Sequence, residues 1–250
     1  MKVALLTLFP DLVRQTLTMG VVGRALERGQ LQLHCFNPRD YTTDNYRTVD
    51  DRPFGGGPGM VMLIEPLMRA LGAARSVLPN ARVVSMSPQG RRFDQALAIE
   101  FSTRAEIIFV CGRYEGIDQR FVDTQIDEEV SLGDFVTSGG ELPALTMIDA
   151  ATRLMPGVLH TEQSALEDSF MDGVLDCPHY TRPPQHPLGD VPPILLSGNH
   201  AEIAKWRRQQ SLGATWLRRP DLLAKLTLNK RDQTLLDAFI AAHRDKNGVQ

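Results

Sequence analysis

Three glycine-containing stretches carry residue types able to hold a nucleoside-like ligand through the backbone. They are Ser87-Pro88-Gln89-Gly90, Cys111-Gly112-Arg113-Tyr114-Glu115-Gly116-Ile117-Asp118, and Ser131 through Pro143. Glycine lets main-chain amides and carbonyls approach a ligand closely, and each stretch follows a run that reads as a strand, the end at which α/β folds bind ligands. A further loop, Arg52 through Met60, sets Gly55-Gly56-Gly57 between prolines. It reads either as a set of amides for an anion or as a plain crossover. None of these loops has the Gly-Lys-Ser/Thr of a P-loop, and none has Gly-x-Gly-x-x-Gly with the acidic partner of a dinucleotide site. Nucleotide hydrolysis and a Rossmann cofactor are therefore disfavoured, and another nucleoside cofactor stays open.

The elements that must position these loops alternate along the first 150 or so residues, the pattern of an α/β domain on a mainly parallel sheet. Strands are expected at Val3–Phe9, Leu31–Phe36, Arg82–Met86 and Glu106–Val110, with another near Glu128–Leu132. The apolar run 107–110 reads as a strand covered on both faces. Helices are expected from Asp11, over Ile64–Leu78 with Pro66 in the first turn, from Asp94, and from Asp118. Leu142–Met155 closes the domain, with Arg153 in its last turn and Pro156-Gly157 ending it. Leu159 to Gly173 is polar and acidic and reads as a mobile linker, and six prolines between Pro178 and Pro193 imply an extended segment. Beyond it, Asn199 with Glu202 resembles a capping box at the start of a helical C-terminal region.

The chain has 250 residues and a net charge of −3. Residues 1–174 hold 16 Lys and Arg against 23 Asp and Glu, whereas residues 175–250 hold 11 against 7. A basic C-terminal segment either meets phosphates or solvates its helices. No apolar run approaches the roughly 18 residues of a membrane span, and the N-terminus lacks a signal-peptide cleavage pattern, so a cytoplasmic protein without a membrane partner is expected. Cys35, Cys111 and Cys177 fit a reducing compartment. Cys177-Pro178-His179 lacks the second ligand pair of a zinc module, so no metal site is expected there.

Eight segments in fixed order resemble the bacterial tRNA (guanine-37-N1)-methyltransferases of the knotted SPOUT class. They are Arg47–Pro53 with the glycine loop after it, Ser87–Gly90, Cys111–Asp118, Gly133–Pro143, Glu167–Phe170, Asp176–Pro183, Leu196–His200 and Trp216–Pro220. Phe54 and Phe135 stand where many relatives have Tyr, which removes a hydroxyl but leaves the apolar surface. The resemblance implies an α/β fold whose mainly parallel N-terminal sheet carries a deep trefoil knot, followed by a small helical C-terminal domain. Alternation of strands and helices alone would have indicated an unknotted doubly wound sheet. The implied organisation is a knotted methyltransferase domain over 1–158, a flexible linker over 159–173 and a tRNA-binding domain over 174–250.

The same resemblance implies S-adenosylmethionine as cofactor. Its expected contacts are Ser87, Pro88 and Gln89; Gly112, Arg113, Glu115, Gly116 and Ile117; and Leu132, Gly133, Asp134, Phe135, Val136, Thr137, Ser138, Gly139, Gly140 and Pro143. Ile117, Leu132, Val136 and Pro143 would line the faces of the adenine, and Glu115 would face the cationic sulfonium or amine. The implied substrate is tRNA, the implied assembly a homodimer whose partner completes each site, and a Mg2+ requirement is implied without a ligand set. The family's general base falls on Asp168 and its cation on Arg153. Without the resemblance, Asp168 reads as a solvated linker residue and Arg153 as a partner for a helix C-terminus.

Overall fold

The computed structural model describes residues 1–161 and 167–248, which form two compact units, Met1–Glu162 and Gln163–Gln250. Of the linker expected over 159–173, residues 162–166 lie outside the described ones.

The first unit is built on a five-stranded sheet of order β2-β1-β6-β5-β7, comprising β1 (Lys2–Leu6), β2 (Gln32–Phe36), β5 (Arg82–Arg92), β6 (Glu106–Val110) and β7 (Glu128–Ser131). Every neighbouring pair is parallel. Alternation of side chains across a strand sorts the apolar residues between two helix layers. Val3, Leu5, Ile107 and Phe109 pack with α1 (Pro10–Leu17), α2 (Gly20–Glu27), α4 (Gln95–Ser102) and α6 (Glu141–Thr152). Ala4, Leu6, Ile108 and Val110 pack on the other face with α3 (Ile64–Val77) and with Phe121 of α5 (Gln119–Gln125). Outside the sheet, β3 (Asp50–Asp51) and β4 (Val61–Met62) form an antiparallel pair.

Two boundaries differ from expectation for local reasons. β1 ends at Leu6 instead of Phe9 because the Phe9 amide turns back to the Thr7 hydroxyl at 3.0 Å and Pro10 opens α1. α6 stops at Thr152, since Leu154 and Met155 donate to carbonyls only three residues back; Arg153 is therefore its C-cap. Asp94 and Asp118 cap their helices as expected, Asp94 by accepting the Leu97 amide at 3.0 Å. Asp94→Ala should lower unfolding free energy by about 1 kcal/mol; a denaturant midpoint unchanged from the parent would show that the cap carries no stability.

The second unit centres on α7 (His200–Arg218) and α9 (Lys230–Asn247), with the short α8 (Pro220–Leu223) between them. Leu212, Leu235, Leu236 and Val174 form its core. Gly213 allows close packing, since a Cβ there would lie 2.4 Å from the Phe239 ring. Arg208 ties the unit together through Asp232 at 2.8 Å and through Asp172. Asn199 caps α7 by accepting the Glu202 amide at 3.3 Å. Trp216 packs on the core, and Trp206 lies against Tyr180 at a ring separation of 6.3 Å. Among the described residues no helix is long and apolar enough to cross a membrane.

Candidate functional site

The loop expected at Ser87–Gly90 is an excursion within β5. Met86 and Arg91 both align with Val130 of β7, so the residues between them leave the ladder and return to it. An expectation that the strand stops at Met86 misses this, because the return strand, Arg91 and Arg92, is polar. Gly90 is required where the chain rejoins, since a Cβ there would sit 2.3 Å from the Glu129 carbonyl carbon.

The other two loops meet each other. The Gly140 amide donates to the Gly112 carbonyl at 2.9 Å, and a Cβ on Gly140 would come within 2.8 Å of the Cys111 Cα. Only glycine permits that approach. Arg113 then reaches across, donating to the Ser138 carbonyl at 2.7 Å, pairing with Glu141 at 3.2 Å and lying 4.4 Å above the Phe9 ring. Glu141 is buried and also accepts the Thr7 hydroxyl at 2.9 Å, so one carboxylate links the end of β1, the loop Cys111–Asp118 and the start of α6. Beside it, burial and then the Glu141 charge push the Cys111 thiol well above its ordinary pKa, which keeps it protonated and unsuited to nucleophilic attack.

The three loops enclose a cavity of about 320 Å³. It is lined by every residue expected to touch the cofactor except Gly133 and Asp134. Gly133 is buried, with its carbonyl accepting the Ser131 hydroxyl, and Asp134 faces solvent. Sequence reasoning missed Met86, Tyr114 and Glu129, which also line the cavity. Their flanking positions to the glycine stretches were the available signal. The lining fits a nucleoside cofactor with a cationic tail: apolar walls from Ile117, Leu132, Val136 and Pro143, main chain bared by Gly112, Gly116, Gly139 and Gly140, and the exposed carboxylate of Glu115.

Arg153 and Asp168 fall in different units. Arg153 caps α6 and does not line the three-loop cavity. Asp168 lines a second cavity, of about 850 Å³, within the C-terminal unit, together with Asp176, His179, Arg182, His200 and Arg207 among others. Nothing in the spacing of the proline-rich segment had indicated that cavity. His179 and His200 are part of its wall.

In the same wall the donor atoms of Asp176, Cys177 and His179 lie within 4.8 Å of one another. Burial raises the Asp176 pKa, but hydrogen bonds from His179 at 2.8 Å and from the Cys177 amide outweigh it and leave the carboxyl below its ordinary value. This is the one such three-donor cluster among the described residues. It suits Mg2+ poorly, since that ion takes oxygen ligands and here meets a thiol and an imidazole.

A family model described as "tRNA (Guanine-1)-methyltransferase TrmD" matches residues 1–225. The tRNA (guanine-N(1)-)-methyltransferase of Edwardsiella ictaluri (strain 93-146) is 54% identical over 244 residues, 97% of this chain and 96% of the relative. The protein of the same name from Klebsiella pneumoniae subsp. pneumoniae is 54% identical over 244 residues, with the same shares covered. That from Yersinia enterocolitica is 54% identical over 245 residues, 98% of this chain and all of the relative. A match of this extent and identity, over a chain whose glycine loops converge on one cavity, makes this protein a member of the tRNA (guanine-1)-methyltransferase family.

Proposed function

We propose that this protein methylates N1 of guanine in tRNA, at position 37 on the 3′ side of the anticodon, using S-adenosylmethionine. The observation that carries the reading is the convergence of the three glycine loops on a single cavity of cofactor size in a chain of this family. When bound, S-adenosylmethionine would supply a methyl group activated by a cationic sulfur, with the neutral thioether as leaving group. Ile117, Leu132, Val136 and Pro143 hold the flat base, and Glu115 offsets the positive charge. Guanine N1 carries a proton at neutral pH and must lose it to attack. Asp168 accepts that proton, and Arg153 offsets the negative charge that builds on O6. No step is assigned to Mg2+.

In this reading the chain path through the three loops is knotted, and the active protein is a cytoplasmic homodimer. Exposed Phe135, Val136 and Leu142 beside the cofactor loops support an apolar partner surface there. Asp168 is brought to the guanine when tRNA binds. The basic region over 174–250 holds the tRNA through Arg207, Arg208, Arg218, Arg219, Lys225, Lys230 and Arg231. Binding should then weaken steeply with salt, with log K falling linearly in log salt at a slope of about −0.7 to −0.9 per phosphate neutralised. A flat salt dependence would remove the C-terminal region from tRNA contact.

The reading is tested by transfer of labelled methyl to an unmodified tRNA transcript with guanine at position 37, beside one with adenine there. Label confined to the guanine transcript, recovered as 1-methylguanine, is the expected result. Label in another base or a ribose would keep the methyltransferase and replace its target.

A further inference from the structure

The glycine-rich loop Arg52–Met60, the one such loop that lines neither cavity, has a different place in the fold. It joins β3 to β4, with Asp50 opposite Met62 and Asp51 opposite Val61. Gly55, Gly56 and Gly57 stand in open space, but Gly59 does not: a Cβ there would lie 2.3 Å from Glu115 Oε1 and 2.4 Å from its Cγ. The chain that follows Gly59 is laced to the cofactor loop Cys111–Asp118. The Glu115 amide donates to the Met60 carbonyl at 2.9 Å, the Met62 amide to the Gly116 carbonyl at 2.9 Å, and the Asp118 amide to the Met62 carbonyl at 3.3 Å. Tyr114, held at φ +60°, has its hydroxyl bonded by Arg39 at 3.2 Å and by Asp50.

We infer that the β3–β4 hairpin is a template for the cofactor loop Cys111–Asp118, and that Gly59 is a positioning residue that sets the Glu115 carboxylate toward the cationic end of the cofactor. Main-chain bonds fix the backbone of Glu115, and Asp50 and Arg39 hold its neighbour Tyr114 in a conformation rare for a side-chain-bearing residue. The carboxylate lies along the bare Cα of Gly59. Any side chain at 59 displaces the carboxylate and leaves the loop intact. The inference rests on Glu115 facing the cofactor.

The test is S-adenosylmethionine affinity by calorimetry for Gly59→Ala, Glu115→Ala and the double variant, with melting temperatures alongside. Gly59 has φ +81°, so alanine strains the backbone whichever residue occupies 115. Melting temperature should therefore fall similarly in both backgrounds. Affinity should fall about tenfold for Gly59→Ala in the native background, the worth of a charged contact, and less than about twofold once Glu115 is alanine. Equal losses in both backgrounds would assign the effect to strain and overturn the inference, as would unchanged affinity for Gly59→Ala. Unchanged affinity for Glu115→Ala would instead overturn the reading of Glu115, and the inference with it. Gly59→Asn, which tolerates positive φ better, repeats the comparison if alanine prevents folding.

Discussion

Asp168→Asn is expected to lower kcat for methyl transfer by on the order of 10²- to 10⁴-fold while cofactor affinity stays within about twofold. Asparagine keeps the shape and hydrogen-bonding reach of the side chain but cannot take the guanine N1 proton. The cofactor loops lie in the first unit and Asp168 in the second, so the substitution leaves the 320 Å³ cavity intact. The residual rate should rise with pH, because guanine increasingly loses its N1 proton without help. Wild-type kcat in the variant would take the base role from Asp168 and direct attention to Asp172 and Asp176, which line the 850 Å³ cavity with it.

Glu141→Ala should destabilise the protein by about 3 kcal/mol, the scale for removing one partner of a buried ion pair. Its carboxylate is 2% exposed and holds Arg113 at 3.2 Å and Thr7 at 2.9 Å. Without it the Arg113 guanidinium, which is only partly accessible, faces a cavity in place of an anion. A fall in melting temperature of roughly 6–12 °C is expected for a chain of this length. Glu141→Gln, which keeps an acceptor for Thr7, should lose less. Arg113 also bonds the Ser138 carbonyl, so cofactor affinity should drop together with stability. A melting shift below about 2 °C would show that the pair contributes little to holding the loops.

The sheet was legible because its pattern is redundant. An unbroken apolar run at 107–110, and Asp94 and Asp118 at helix starts, each state one local rule that tertiary packing did not overrule. Boundaries set by hydroxyls and by short-range turns, such as the end of β1 at Thr7 and the end of α6 at Thr152, were not legible, since neither leaves a periodic trace. The cofactor loops were found from their glycines, although the reason for Gly140 became visible only with Cys111 packed against it. Gly133 and Asp134, implied by the resemblance, sit between residues that line the cavity without lining it themselves. The large C-terminal cavity was hidden because its walls come from a proline-rich segment and from α7, which follow each other closely in sequence but share no periodic pattern.

The order of strands has a consequence for the chain as it is made. β1 lies between β2 and β6, and its bond to β6 joins Lys2 to Glu106, 104 residues apart. β5 pairs only with β6 and β7, both of which follow it. At ribosomal speeds of about 5–20 residues per second, the edge of β1 that β6 will join stands open for roughly 5–20 s after β1 emerges. Until then the nascent chain exposes Val3, Ala4, Leu5 and Leu6, all fully buried in the finished sheet, beside an unpaired row of amides and carbonyls. A ribosome stalled before Glu106 would therefore release an aggregation-prone product.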